Sequence, residues 1–154
     1  MANFFLGGTG AGAYAVAAAL SGFERTPLLL GASALGPFLV AAGFLAVALE
    51  AGRPFRGPNV LRRLGSSWMS RELLFGSIFL LVAPLEFVRP LRASRVVAVV
   101  AAILLMLAQG CILARARGVA AWSVSVLPAL FLASGLVAGA GLLLVALPVV
   151  GGLG

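Results

Sequence analysis

The sequence predicts an all-α fold, a polytopic transmembrane helix bundle with about five spans. The chain of 154 residues is 62% hydrophobic and only 10% charged, with a mean hydropathy of +1.17. A soluble domain of this size cannot bury so much apolar surface. Apolar runs close to the ~20 residues that a bilayer requires alternate with short polar connections. No connection could hold a soluble domain, so we expect a single transmembrane domain over residues 1–154.

The predicted spans, in chain order, are Phe4–Ser21, Pro27–Leu49, Trp68–Val88, Val96–Ala114 and Trp122–Val149. No basic residue precedes the first span, and the second follows after a short turn, so we expect a retained helix rather than a cleaved signal peptide. The last span carries Pro128 and Pro148 near its limits, and its length favours tilt or a broken end. This arrangement places the two ends of the chain on opposite faces of the membrane.

The charge pattern fits a membrane protein with polar connections. All eleven basic residues are Arg and all four acidic residues are Glu. The arginines fall in the connections, where they meet lipid headgroups or the surface of a partner. On the face of the first residue, face A, lie Arg53, Arg56, Arg62, Arg63, Arg71, Arg115 and Arg117, and on face B lie Arg25, Arg89, Arg92 and Arg95. The excess on face A favours a cytoplasmic location for it, although docking of an acidic partner produces the same bias.

Missing residue types exclude several cofactors. The chain has no histidine, which removes the usual axial ligand of a b-type haem and the commonest metal ligand. Its one cysteine, Cys111, lies in an apolar run. One cysteine cannot hold a zinc ion or an iron–sulfur cluster. We therefore expect no haem and no iron–sulfur cluster in this chain.

Polar residues cluster toward face A. Glu50 closes the second span, Trp68, Arg71 and Glu72 open the third, and Gln109 lies in the face A half of the fourth. Asn3, Trp122 and Ser123 fall at the same face. Polar groups within a bilayer are costly and are usually functional. The alternative is interfacial decoration, with Trp in the aromatic belt, Arg extended to the headgroups and Glu paired with Arg.

Two further patterns have both a structural and a functional interpretation. Gly8 and Gly12 share a helix face, and Gly135 and Gly139 repeat this spacing. The pattern predicts close helix packing, or else room for a flat ligand against the backbone. Near face B, Glu86 follows Pro84 and precedes Arg89 by three residues. This spacing predicts a helical ion pair with Arg89, or else a proton conduit.

Four segments resemble one protein family. They are Glu50-Ala-Gly-Arg-Pro-Phe-Arg56, Ser66-Ser-Trp-Met-Ser-Arg-Glu72, the Gly-rich stretch Phe4–Tyr14, and Trp122–Gly141. In this order they resemble the membrane-anchor subunits of polysulfide, nitrite and dimethyl sulfoxide reductases, of the NrfD or polysulfide reductase type. Members of that family commonly have about eight spans, and some place a histidine at the quinone. This chain, with five predicted spans and no histidine, resembles a shortened form.

The resemblance implies a haem-free anchor in a prokaryotic cell (inner) membrane. Such anchors hold a quinone, menaquinone or ubiquinone, near one face. They dock an iron–sulfur subunit that exchanges electrons with a molybdenum or tungsten catalytic subunit. Another membrane subunit could complete the site. In the related reductases the face with the Gly-Arg-Pro loop receives the iron–sulfur subunit, often outside the cytoplasm, so the orientation stays open.

The candidate quinone-binding residues are Glu50, Arg53, Trp68, Arg71, Glu72 and Gln109. A quinone carbonyl needs a hydrogen-bond donor and a nearby proton carrier. Arg53 and Arg71 are candidate donors or fix the carboxylates, Glu50 and Glu72 are candidate proton carriers, and Trp68 is a candidate flat wall. Two other functions stay open: a purely structural tether of such a complex, and a small transporter that uses Glu50 or Glu86. The sequence shows no inverted repeat, which would favour transport.

Overall fold

The computed structural model describes residues 2–50, 67–115 and 125–151, with side chains as far as residue 146 in the last segment. These residues form helices and contain no strand, which confirms the all-α class. In chain order the helices are α1 (Ala2–Leu20), α2 (Pro27–Glu50), α3 (Trp68–Val82), α4 (Leu85–Val88), α5 (Arg92–Ala114) and α6 (Leu127–Gly151).

Three of the described helices are long and apolar enough to cross a membrane: α2, α5 and the Leu127–Ala146 part of α6. Helix α1 has 19 residues and is not among these three. Helix α3 has only 15 residues. The chain is therefore a helical membrane protein, and membrane crossing by α1 and α3 stays a prediction.

The predicted third span is not one continuous helix. Helix α3 ends at Val82, and α4 forms a single turn from Leu85 to Val88. The break falls at Pro84, because proline lacks the amide proton that would continue the helical ladder. The predicted fourth span also started too late, because α5 begins at Arg92 rather than Val96. In the last segment Trp122 lies outside the described residues, and α6 begins at Leu127.

Helix α1 lies at the centre of the bundle and contacts α2, α5 and α6. Glycines allow the backbone of α1 to contact the backbones of its neighbouring helices. A Cβ atom at Gly10 would lie 2.5 Å from the carbonyl oxygen of Gly36, and one at Gly12 would overlap the carbonyl of Gly135. A Cβ at Gly139 would overlap the backbone of Ala13. The close-packing interpretation of the glycine pairs is therefore confirmed. As a result, most of the residues along α1 are buried.

The core between the helices is made of small and large apolar side chains. The ring of Tyr14 packs edge-to-face on Phe79, with 5.4 Å between the ring centroids. Both side chains are buried, together with Leu29, Leu105 and Met106. Polar clusters lie on either side of this apolar middle. One joins α1, α3 and α5 at the end called the A end, and the other joins the α1–α2 turn, α4 and α5 at the opposite, B end.

Candidate functional site

The A end contains a buried carboxylate held by two side-chain amides. Asn3 Nδ2 donates to Glu72 Oε1 at 2.7 Å, and Gln109 Nε2 donates to the same oxygen at 3.0 Å. Asn3 and Glu72 are each 5% exposed, and Gln109 is fully buried. We call Asn3, Glu72 and Gln109 the Glu72 cluster. It brings residues from three helices to a single oxygen atom.

Two glycines make the space that the amides occupy. A Cβ at Gly7 would lie 2.6 Å from Gln109 Nε2, so any side chain there would displace the amide. A Cβ at Gly43 would lie 2.8 Å from Asn3 Oδ1. The Gly-rich segment of α1 and the end of α2 therefore shape the cluster as well as the helix contacts.

The cluster has unused hydrogen-bonding capacity. Asn3 Oδ1 and Gln109 Oε1 are buried, and neither has a hydrogen-bond partner among the residues that the structure describes. A buried polar atom without a partner costs roughly 1–3 kcal/mol, and most such atoms in native proteins are satisfied. Both atoms are acceptors, because both amide nitrogens are engaged by Glu72. A ligand that carries hydroxyl groups fits this arrangement.

Four of the predicted quinone-binding residues form two groups: Glu72 and Gln109 belong to the Glu72 cluster, and Trp68 and Arg71 contact each other. Trp68 lies one helical turn before Glu72, and its ring is covered by guanidinium groups. The Arg71 Cζ atom lies 4.4 Å from the ring centroid, and that of Arg115 lies 5.4 Å from it. Distances of this kind are typical of cation–π contacts. The described hydrogen bonds to Glu72 come from the amides of Asn3 and Gln109 rather than from Arg71.

Of the two remaining predicted residues, Glu50 and Arg53, the structure describes only Glu50. Glu50 is exposed at the end of α2, and within the described ranges no hydrogen bond or ion pair joins it to the Glu72 cluster. Arg53 lies outside the described residues, as do the other arginines of the Gly-Arg-Pro connection. The structure therefore brings Glu72 and Gln109 together, with Trp68 one turn before Glu72 and the Arg71 guanidinium over the Trp68 ring.

Asn3 is the member of the cluster that was not among the predicted binding residues. It is polar, opens an otherwise apolar, Gly-rich helix and lies at the same face as Glu72. Those signals pointed to face A, but no sequence pattern indicated that Asn3 reaches a residue 69 positions away. The contact follows from the packing of α1 between its neighbours.

The B end contains a buried ion pair. Arg95 Nε donates to Glu86 Oε2 and Arg95 Nη2 to Glu86 Oε1, both at 2.8 Å. Glu86 is 1% exposed and Arg95 is 6% exposed. Arg95 Nη1 also donates to the carbonyl oxygen of Phe23 at 2.6 Å. Two parallel hydrogen bonds make this a strong, directional pair.

The predicted pairing of Glu86 with Arg89 was wrong. Arg89 is exposed, and the described ion pairs of Glu86 are with Arg95 and, at 4.0 Å, with Arg25. Glu86 and Arg89 do not share a helix face, because α4 ends at Val88 and Arg89 has extended backbone angles. The chain then reverses into α5, whose first turn faces Glu86. Arg95 in turn holds Phe23, which has a left-handed φ of 61° in the α1–α2 turn.

Among the described residues no group of three or more His, Cys, Asp or Glu side chains could hold a metal ion. The described part of the chain is thus a helical membrane protein with a buried carboxylate–amide cluster at one end and a buried ion pair at the other.

A model of the DMSO reductase anchor subunit (DmsC) family matches residues 4–150, and the chain belongs to that family. No curated protein and no solved structure matches the chain.

This family is that of the membrane anchor of a DMSO reductase-type complex. The expected likeness to reductase anchor subunits is confirmed at that level. Assignment to the NrfD or polysulfide reductase type stays a prediction.

Proposed function

We propose that this chain is a haem-free anchor subunit that exchanges protons and electrons between a membrane quinone, menaquinone or ubiquinone, and an iron–sulfur partner subunit. The observation that supports it best is the Glu72 cluster. A buried carboxylate there is bonded by two amides that each keep an acceptor oxygen unpartnered. The spare acceptors match the hydroxyl groups of a reduced quinone.

A quinone supplies two-electron, two-proton chemistry when it is bound. The chain's own residues would bind its head group and handle the proton. Glu72 is the proton carrier, because its carboxylate is the one titratable group of the cluster. Asn3 and Gln109 hold the Glu72 carboxylate in place and accept hydrogen bonds from the ligand. Since the sequence has no histidine and one cysteine, electrons must pass to a redox centre in a partner.

The A end also carries arginines, whose positive charge would suit the docking of a partner subunit. Arg115 lies over the Trp68 ring together with Arg71. The connection beyond Glu50 adds Arg53, Arg56, Arg62 and Arg63, which lie outside the described residues. We propose that this cationic end receives the iron–sulfur subunit, with a molybdenum or tungsten subunit beyond it, and that the chain is a multi-pass protein of a prokaryotic inner membrane. A shortened NrfD-type anchor would have these properties.

The proposal is tested by isolating the complex with a mild detergent and assaying it with two electron donors. We expect an iron–sulfur subunit and a molybdenum or tungsten subunit to copurify. The complex should accept electrons from a quinol analogue and from a water-soluble dye, and the partner subunits without this chain should use only the dye. A complete complex that uses the dye but no quinol would identify the chain as a tether. Isolation of this chain without redox partners would contradict the proposal and favour the transporter alternative.

A further inference from the structure

A cavity of about 350 Å³ lies between α1, α5 and α6. Its walls are apolar and include Phe4, Gly8, Leu113, Phe131 and Ser134. The rings of Phe4 and Phe131 meet edge-to-face, with 6.2 Å between the centroids. Volumes of roughly 300–1,000 Å³ are typical of small-molecule sites, which are often lined by aromatic side chains. We call this cavity the α1–α6 groove.

The groove opens on the outer surface of the described helices. Ser134 on α6 is exposed, as is Phe5 at the other wall, which is 69% exposed. Only 17% of the α6 window that fits a membrane span is buried within the described structure, compared with 44% for α5. With α6 across the membrane, as its length and composition allow, a molecule dissolved in the bilayer would reach this opening from the side.

Gly8 separates the groove from the Glu72 cluster. A Cβ atom at Gly8 would lie 3.4 Å from Cε1 of Phe131 and 3.8 Å from Gln109 Oε1. Gln109 Oε1 is one of the two buried acceptors that lack a partner within the described ranges. Gln109 itself does not line the groove, but because glycine has no side chain, nothing from Gly8 fills the space between the groove and this oxygen.

We infer that the α1–α6 groove is the entrance of the quinone site: the apolar tail lies in the groove, and the head group reaches Gln109 past Gly8. This inference rests on the proposed function and adds a route and a binding surface to it. A lipid acyl chain fits the apolar walls, but it has no hydrogen-bond donor for Gln109 Oε1. A ring that carries hydroxyl groups on an apolar tail satisfies both features. Phe131 then flanks the ring at the point where the groove meets the cluster.

The first test fills the groove from its exposed side. Ser134→Trp places a large ring in the groove without touching Asn3, Glu72 or Gln109. Ala133→Trp is the matched control, because Ala133 is exposed on the same helix and does not line the groove. Quinol-linked turnover of the assembled complex is measured with a long-tailed quinol and with a tail-less analogue, and dye-linked turnover is measured alongside.

For Ser134→Trp we expect KM for the long-tailed quinol to rise about tenfold, as expected for the loss of one or two buried apolar contacts. The kcat, the dye-linked rate and the KM for the tail-less analogue should change far less. Ala133→Trp should match the wild-type complex. If Ser134→Trp prevents assembly, Ser134→Leu is used with the same expectation of a selective rise in KM.

The second test narrows the opening at Gly8. Gly8→Ala places a methyl group at ordinary contact distance from Phe131 and Gln109, so the helix packing should be kept. We expect KM to rise for both quinols, because the head group passes this point. Gly141→Ala is the control, since a Cβ there meets nothing within 4 Å.

The possible outcomes distinguish a failure of the groove inference from a failure of the proposed function. If quinol is used and neither Ser134 variant raises KM selectively, the groove holds only bulk lipid and the inference is overturned, whereas the quinone function stands. If the wild-type complex uses dye but no quinol, the proposed function fails and the groove inference fails with it.

Discussion

Asn3 Nδ2 lies 2.7 Å from Glu72 Oε1, so the first turn of α1 is hydrogen-bonded to α3 across 69 positions of sequence. Gln109 adds a bond from α5 to the same oxygen. Hydrogen bonds are electrostatically stronger where water is excluded, as it is around this buried side chain. These two bonds therefore set the mutual position of three helices and compensate the burial of Glu72.

Asn3→Ala should destabilise the protein and disturb the cluster. The substitution leaves Glu72 with one donor, and loss of a buried partner costs roughly 1–3 kcal/mol. Thermal denaturation in detergent should show a lower midpoint. Ser21→Ala is a suitable control, because the described hydrogen bond of the Ser21 hydroxyl is a local one, to the Ala18 carbonyl three residues earlier. An unchanged midpoint for Asn3→Ala would mean that the Asn3–Glu72 bond adds nothing to stability.

At the B end, Glu86→Leu should destabilise the protein by about 3–5 kcal/mol, because it leaves Arg95 buried without its carboxylate. The double variant Glu86→Leu/Arg95→Leu should recover much of this loss, since it removes both buried charges. Denaturation midpoints of the two variants measure the difference. Arg89→Leu, at an exposed position, should change little. A double variant less stable than the single one would show that the Arg95 bond to Phe23 matters more than the ion pair.

Gly12→Ala should weaken the contact between α1 and α6. The added methyl group would overlap the Gly135 carbonyl, a backbone group that cannot move without shifting the helix. Overpacking of this kind typically costs about 1–3 kcal/mol. The stability of Gly12→Ala in detergent should be compared with that of Gly141→Ala, whose new Cβ meets open space. Equal stability of the two variants would contradict the close α1–α6 packing.

The sequence predicted the helical class because the apolar runs are long and hydropathy needs no tertiary information. It also predicted that Gly12 and Gly135 lie at helix contacts, since glycine spacing of four reports a shared helix face. The break at Pro84 has a local cause, because proline interrupts the helical ladder, although the predicted span ran through it. The pairing of Glu86 with Arg95 could not be predicted, because it depends on how the chain turns between α3 and α5. The amide partners of Glu72 come from distant helices, and only packing reveals them.

The isolated chain should contain no b-type haem. It has no histidine, and its methionines Met1, Met69 and Met106 cannot form a bis-histidine site. A pyridine haemochrome assay of the purified subunit should give no signal. A stoichiometric b-haem signal would contradict the haem-free assignment.

The central claim, that Glu72 carries the proton at a quinone site of this anchor, is tested most directly by the ratio of quinol-linked to dye-linked turnover in Glu72→Gln. The substitution keeps the shape and the acceptor oxygen, so the complex should assemble and its dye-linked rate should stay near that of the wild type. Loss of the titratable group should lower the quinol-linked rate by at least about 100-fold, the lower end of a general acid–base contribution. Glu50→Gln, at an exposed carboxylate, serves as the matched control. An unchanged ratio in Glu72→Gln would contradict the account.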